Sequence, residues 1–176
     1  MTETTLREVY IEQLRDLYDA ENQLIKALPK MAKAAESPEL RSGFEQHLEQ
    51  TRGHAGRIEE IFGSMGESKK RKKCKGMQGL VDEGSEVIGD DLEGPAKDAA
   101  LIAAAQRVEH YEIAGYGSVR SFAEELGETQ AASLLQQTLD EEKETDSKLT
   151  QLSEQINPKA MNGSAARESS RARRAI

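Results

Sequence analysis

The sequence is poor in cysteine and in aromatic residues. Among its 176 residues there are one Cys, no Trp, three Phe and four Tyr, whereas 32% of the residues are charged. A single Cys excludes an internal disulfide framework. So few aromatic residues among so many charged ones argue against a sheet sandwich and favour aliphatic packing between long amphipathic helices. The length indicates one domain with a modest core.

Long apolar runs are also missing. No run in the sequence is long enough for a membrane span or for the apolar part of a signal peptide. We therefore expect a cytoplasmic protein without a membrane partner.

Charge is distributed unevenly along the chain. The formal net charge is -8, yet six of the seven residues from Lys69 to Lys75 are basic, and residues 157–176 hold five bases and one acid. The remaining chain has 13 bases and 31 acids, a formal charge of -18. Such an acidic body favours cationic partners, metal ions among them, and repels nucleic acids at long range. We expect nucleic-acid binding to be weak at most, and the basic run, which contains no aromatic residue, to be a solvated loop.

The single cysteine, Cys74, lies inside this basic run. Neighbouring cations stabilise a thiolate, so the sequence predicts a lowered pKa for the thiol. We expect it to be exposed and without a role.

Turn signals divide the chain into four long helices and one short helix. The predicted spans are residues 4–35, 38–65, 77–88, 94–127 and 128–156, with Pro29 a kink in the first. Ser37 is the predicted N-cap of the second helix and Pro38 lies in its first turn. Short connections predict an all-α, antiparallel four-helix bundle over residues 1–156, with the short helix between the second and third long ones. Residues 157–176, which follow the Asn157-Pro158 stop, are predicted to form a basic, disordered tail.

Each long helix carries one row of residues at alternating steps of three and four, which predicts the face that points into the bundle. Most members of the rows are apolar, but every row also contains a polar residue with a metal-binding side chain. These residues are Glu21, His54, Glu109, Glu112 and Glu142.

The four rows thus bring four Glu and one His toward the bundle axis without any Lys or Arg. Buried carboxylates that lack a cation are unfavourable. Protonation, a water network or a bound cation would each remove the problem. Carboxylate and imidazole ligands on facing helices suit iron or manganese, as one ion or two. A metal-free polar network is the structural alternative.

Several segments resemble the bacterial stress-protein family of YciE and YciF, which belongs to the ferritin-like superfamily. The resemblance covers residues 1 to about 156, and rubrerythrin is a more distant likeness. It implies a ferritin-like fold and a di-iron site on the five residues named above. The segments that carry it are Tyr18-Asp-Ala-Glu21, Leu48-Glu-Gln-Thr-Arg-Gly-His54, Ala103-Ala-Ala-Gln-Arg-Val-Glu-His-Tyr-Glu-Ile-Ala-Gly-Tyr-Gly117 and Thr138-Leu-Asp-Glu-Glu-Lys-Glu-Thr-Asp146.

Two positions depart from the ferritin-like pattern. Thr51 stands where that pattern has a bridging Glu, and Thr145 stands where it has a His. The site could then hold a single metal, bind weakly, or recruit Asp146 or His110. No Cys-x-x-Cys pair is present for a rubredoxin-type electron donor.

Two further residues near these rows receive different interpretations. His47 is two turns from His54, about 10 Å along a straight helix, which is too far for both to bind one ion. We therefore interpret His47 as structural. Tyr116, one turn beyond Glu112, is the expected hydrogen-bond donor to a site carboxylate.

The function that these observations imply is that of a stress-associated protein with a carboxylate-rich metal site that reacts with oxygen or peroxide. We expect a homodimer. Two alternatives come from other classes: a non-enzymatic helical dimerisation module with a metal-free polar core, and a weak architectural DNA binder that uses the basic segments.

Overall fold

The protein consists of five α-helices. The computed structural model describes residues 5–70 and 72–174, with side chains through residue 161. The predicted all-α fold is confirmed, because this part of the chain contains helices and no strand. The helices are α1 (Leu6–Ala34), α2 (Pro38–Met65), α3 (Lys75–Gly89), α4 (Gly94–Glu125) and α5 (Thr129–Arg174).

The four long helices form the bundle and the short α3 lies outside it. The α4 helix packs mainly on α5 and α1 mainly on α2, while contacts of α1 with α4 and of α2 with α5 close the bundle. The α3 helix packs against α1 and α4. None of the helices in the described range is long and apolar enough to cross a membrane.

Side-chain caps position the turn between α1 and α2 as the sequence predicts. The Ser37 hydroxyl accepts a hydrogen bond from the Leu40 backbone N–H, and Pro38 opens α2. The Asp98 carboxylate of α4 accepts hydrogen bonds from the backbone N–H groups of Glu36 and Ser37, each at 2.8 Å. This turn is therefore attached directly to the opposite side of the bundle.

The predicted rows form the core. Two apolar clusters fill the bundle, one around Tyr10, Ile58 and Phe62 and the other around Leu24 and Leu101. The polar members of the rows are buried between these clusters. The fold thus encloses a layer of ionisable side chains between two apolar regions.

The predicted end of the last helix is wrong. The α5 helix does not end at Ile156 but continues through Pro158 to Arg174. Pro158 lacks the backbone N–H that would bond to the carbonyl of Glu154, but its fixed φ is compatible with a helix, and Ala160 and Met161 after it are good helix formers. Ile156 is the last buried residue among the described side chains, and a separate tail over residues 157–176 stays a prediction.

The prediction for Cys74 is also wrong. Its side chain is fully buried, accepts a hydrogen bond from the Met77 backbone N–H and caps α3. Its Sγ lies 3.0 Å from the Tyr111 hydroxyl. Burial raises the pKa of the Cys74 thiol, because the apolar face of α3 draws this residue inward while the neighbouring lysines stay in solvent.

The basic run forms a loop, as predicted, up to the start of α3 at Lys75, with Arg71 outside the described residues. Lys69 lies 3.0 Å from a Glu59 carboxylate oxygen and Lys72 lies 3.4 Å from one of Glu12. Part of the positive charge of the loop is therefore paired with the acidic surface of the bundle.

Candidate metal centre

A layer of ionisable side chains crosses the middle of the bundle. All four long helices contribute to it, and each of its side chains is at most 3% exposed. Its members are Glu21 of α1, His47 and His54 of α2, Glu109 and Glu112 of α4, and Glu142 of α5.

Five of these side chains form two groups that share Glu142. In the first group, His54 Nδ1 lies 2.8 Å from Glu142 Oε1 and 3.5 Å from Glu21 Oε1. In the second, His47 Nε2 lies 3.3 Å from Glu109 Oε1 and 3.8 Å from Glu142 Oε2. In each group the ligand atoms lie within 4.8 Å of one another. One carboxylate oxygen of Glu142 thus faces each group.

The structure places His47 in one of the two groups, whereas the sequence led us to interpret it as structural. His47 and His54 do not belong to one group, in agreement with the distance expected between them along α2. Each histidine instead belongs to its own group, and the two ring centroids are 6.3 Å apart. The two-turn spacing of His47 and His54 on one face of α2 was the sequence signal for a second group.

The small side chain of Thr145 leaves room for His47. Thr145 Oγ1 lies 3.4 Å from His47 Nδ1, so an imidazole from α2 lies beside the position where the ferritin-like pattern has a His on α5. Thr51 Oγ1 donates a hydrogen bond to the His47 backbone carbonyl at 2.8 Å. Neither threonine belongs to the two groups.

Asp146 and His110 lie outside the two groups, although the negative charge of Asp146 contributes to the raised pKa of Glu109. His110 Nε2 is 3.3 Å from Asp146 Oδ2, and the His110 side chain is 69% exposed. The two residues pair with each other at the surface and belong to neither group. Recruitment of these two side chains is therefore not supported.

Glu112 lies in the layer but in neither of the two groups. It is fully buried, and neither of its carboxylate oxygens has a hydrogen-bond partner in the structure. Burial and the nearby carboxylates of Glu21, Glu142 and Glu109 raise its pKa well above the usual value. Glu112 therefore adds to the layer a buried carboxyl group without a hydrogen-bond partner.

Eight buried nitrogen and oxygen atoms of the layer form no hydrogen bond of good geometry within the described structure, although His54 Nδ1 and Glu142 Oε1 are in ion-pair contact at 2.8 Å. The eight atoms are Glu21 Oε2, His47 Nε2, His54 Nδ1, Glu109 Oε2, both oxygens of Glu112 and both oxygens of Glu142. Buried polar atoms normally have partners, and carboxylate and imidazole atoms are the ligands that iron and manganese take. The chemistry of this donor set fits such an ion.

The ionisation of the layer reflects its burial. Burial raises the pKa of Glu109 to about 8 and also raises the pKa of Glu21 and of Glu142. Burial lowers the pKa of His54, but the hydrogen-bonding and charged carboxylates of Glu142 and Glu21 outweigh it, so that the pKa is about 11. Burial lowers the pKa of His47. Without a cation, the layer therefore holds protons that the same residues would release in water.

A carboxylate outside the layer orients His54. His54 Nε2 lies 2.8 Å from Glu141 Oε2, and Arg57 donates two hydrogen bonds to the Glu141 carboxylate, each of 2.8 Å. The Nδ1 atom is thereby turned toward Glu21 and Glu142. Sequence reasoning missed Arg57 and Glu141, although Glu141 directly precedes Glu142.

The prediction for Tyr116 is confirmed. Its hydroxyl donates a hydrogen bond to Glu21 Oε1, and the tyrosine is fully buried. The hydrogen bond restrains the Glu21 carboxylate and leaves Oε2 free.

The four-helix bundle and its buried layer of carboxylates and imidazoles define a protein of the ferritin-like class. The family model described as "Domain of unknown function (DUF892)" matches residues 5–162. The chain belongs to this family.

Known proteins agree with that assignment. Protein YciF of Escherichia coli (strain K12) is 48% identical over 164 residues, which cover 92% of this chain and 99% of that protein. The crystal structure of the E. coli stress protein YciF superposes with a TM-score of 0.87 at 47% identity, covering 89% of this chain and 99% of that one.

YcfI from Rhodopseudomonas palustris has a TM-score of 0.81 at 39% identity, covering 84% of this chain and 94% of that one. The protein XCC3681 from Xanthomonas campestris pv. campestris str. ATCC 33913 shares the fold at a TM-score of 0.73 and 20% identity, covering 92% of this chain and 99% of that one.

Proposed function

We propose that the protein is a stress-associated metal protein whose bundle core binds two divalent ions, iron(II) or manganese(II), and reacts with oxygen or peroxide. The observation that carries the proposal is the sharing of Glu142 by two three-residue groups, each with its own histidine. A carboxylate with one oxygen toward each group is suited to bridge two ions.

Charge supports two ions rather than one. The layer contains four carboxylates and two imidazoles. Four ionised carboxylates and two divalent cations are neutral together, and the low dielectric of the interior penalises any uncompensated charge strongly. Arg57 compensates Glu141 rather than a carboxylate of the layer.

The side chains have separate roles in this proposal. His54 and Glu21 would hold one ion, His47 and Glu109 the other, and Glu142 would bridge them. Glu112 would supply its two free oxygens to either ion. When bound, such a pair of metal ions supplies electrons to oxygen or peroxide. The Tyr116 hydroxyl and the Glu141–Arg57 pair keep Glu21 and His54 in place.

The test is the metal content of the full-length protein. After anaerobic incubation with iron(II) or manganese(II) and removal of free metal, elemental analysis should give two ions per chain. Calorimetry should show binding, and the melting temperature should rise with metal concentration by mass action. A stoichiometry of zero at about 1 mM metal would contradict the proposal and favour a metal-free polar core.

A matched pair of variants separates the two groups. His47→Gln should leave one ion per chain, because the His54 group remains, whereas His110→Gln at the surface should leave two. If His47→Gln retained two ions with unchanged affinity, the second group would not be a metal site.

A further inference from the structure

A cavity of about 270 Å³ lies between α1, α3 and α4. Its walls are mainly aliphatic, and α3 forms its roof. Leu24, Met31, Val81, Ile88, Ala104 and Val108 line it. Protein interiors are normally close-packed, so an apolar space of this size beside a small domain's core is unusual.

The short helix α3 cannot close this cavity by sliding, because both of its ends are attached. At its N-terminus, the Cys74 backbone N–H donates to Asp19 at 2.9 Å, and the Cys74 carbonyl accepts from the Gln23 side chain at 3.1 Å. At its C-terminus, Lys97 Nζ donates to the carbonyls of Ile88 and Asp90 at 2.8 and 2.9 Å. The cavity is thus preformed.

The middle of the roof lacks a side chain. Gly84 of α3 lines the cavity, and a Cβ atom built there would meet only Met31 Sδ, at 3.8 Å. A larger residue at this position would occupy the space that the glycine leaves open. The roof therefore has a gap at Gly84, although α3 packs against α1 and α4 on either side of it.

The cavity reaches the charged layer. Glu109, which belongs to the His47 group, lines it together with the aliphatic residues, and Glu109 Oε2 has no hydrogen-bond partner in the structure. The cations among the lining residues, Lys26 and Lys30, do not lie at this inner end, so an anionic group there would have no counter-charge. The inner end therefore favours the apolar part of a ligand.

The outer rim has the opposite charge. Lys26 and Lys30, one turn apart on α1, line the cavity and are exposed. Among the ion pairs of the described residues, neither lysine takes part in one. The rim therefore offers two unpaired cations to the anionic end of a ligand.

We propose that this cavity binds a medium-chain aliphatic carboxylate, with its chain under α3 and its carboxylate at Lys26 and Lys30. At roughly 30 Å³ per heavy atom, the liquid-volume share of a water molecule, the space holds about nine heavy atoms. The alkyl chain of octanoate, which has seven carbon atoms without its carboxylate, fits in this space. Binding requires neither metal nor catalysis, so it does not depend on the function proposed above.

Octanoate itself is the probe, added to the metal-free, full-length protein and followed by calorimetry and methyl NMR. We expect binding, with the largest shifts at the methyl groups of Ala27, Ala104 and Val108. Octylammonium, which has the same chain and the opposite charge, should bind at least about tenfold more weakly.

Two variants test the chain and the head group separately. Ala104→Leu fills the buried cavity wall and should weaken octanoate binding at least about tenfold, whereas Ala114→Leu, the same change at an exposed position of α4, should not. Lys26→Gln with Lys30→Gln, both exposed, should weaken octanoate binding and leave octan-1-ol binding unchanged.

The proposal is overturned if octanoate does not bind at about 10 mM, if the shifts lie away from α1, α3 and α4, or if the double lysine variant binds octanoate like the unmodified protein. The comparison of the double lysine variant with the unmodified protein remains valid even if Ala104→Leu does not fold. A protein that binds octanoate but no metal would contradict only the proposed metal centre. A protein that binds metal but no octanoate would contradict only the proposed cavity site.

Discussion

At the scale of single residues, the buried carboxylates dominate the behaviour of this protein. Glu21, Glu109, Glu112 and Glu142 lie in a region without a buried Lys or Arg beside them, and the pKa of each is raised. They therefore oppose folding of the metal-free chain when they ionise. The unfavourable free energy of these buried negative charges is removed when a cation binds in the layer, and it therefore favours cation binding.

Replacing Glu109 and Glu112 together with Gln should abolish metal binding and leave the metal-free protein equally or more stable. Gln keeps the volume of the side chain and removes the buried negative charge. Calorimetric titration with iron(II) and chemical unfolding of the metal-free variant measure the two effects. A large loss of stability without metal would mean that these carboxylates serve the fold instead.

Glu141→Gln should lower metal affinity by about tenfold or more through His54, because the ring loses the carboxylate that orients it. Glu144→Gln is the matched control, since Glu144 lies on the same helix and pairs only with Lys148 at the surface. Metal titrations of both variants make the comparison. Equal affinities would show that Glu141 has no influence on the centre.

The melting temperature of the metal-free protein should fall as the pH rises from about 6.5 to about 9. The folded-state pKa of Glu109, about 8, and that of His54, about 11, lie above their usual values of 4.5 and 6.5. The folded state therefore binds more protons than the unfolded state in this window, and stability is lost as those protons leave. The lowered pKa of His47 acts in the opposite direction only below about pH 6.5.

Calorimetric scans at several pH values measure this trend. Glu109→Gln should reduce the slope, since it removes one of the titrating groups. A melting temperature that rises over the same range would contradict the assignment of protons to the buried layer.

At the scale of secondary-structure elements, the attachment of α3 is the least expected feature. The Tyr111 hydroxyl of α4 lies 3.0 Å from Cys74 Sγ and donates to Asp16 Oδ2 of α1 at 3.0 Å. One side chain thus connects the start of α3 to two bundle helices. Its ring also lies against Gly76, where a Cβ atom would approach Tyr111 Cε2 to 2.6 Å.

Tyr111→Phe should therefore destabilise the protein by about 1–2 kcal/mol, because Asp16 loses the Tyr111 donor and the Cys74 side chain keeps only its Met77 partner, while the ring packing remains. Urea unfolding measures this loss. Ser118→Ala, which removes an exposed hydroxyl bonded to its own helix at the Ala114 carbonyl, is the control and should have a small effect. Equal effects of the two changes would mean that the Tyr111 hydroxyl does not hold α3.

At the scale of the whole molecule, the acidic surface of the bundle limits which partners can bind. The bundle is acidic, and two lysines of the basic loop, Lys69 and Lys72, already lie beside Glu59 and Glu12. Fewer cations of the loop are thus available to phosphates than its composition suggests.

The homodimer stays a prediction, which light scattering tests against the chain mass of 19.4 kDa.

Duplex DNA should bind only weakly, at low salt and without sequence preference, with a strong dependence of affinity on salt. Changing residues 69–73 to Gln should abolish this binding, since the rest of the body is acidic. Fluorescence anisotropy at several salt concentrations measures both effects. Submicromolar affinity at about 0.15 M salt would contradict the prediction and favour an architectural role.

The sequence by itself determined the helical class, the caps around Ser37 and Pro38, the buried rows and the central position of Glu21, His54 and Glu142. These features depend on residue spacing and on interactions within a few residues, which a linear pattern records.

Only the tertiary structure decided the second group around His47, the burial of Cys74, the Glu141–Arg57 clamp on His54 and the cavity under α3. Each of these depends on distances between helices and on side-chain rotamers across them. Such distances arise from packing of residues that are remote in the chain, which no local periodicity specifies.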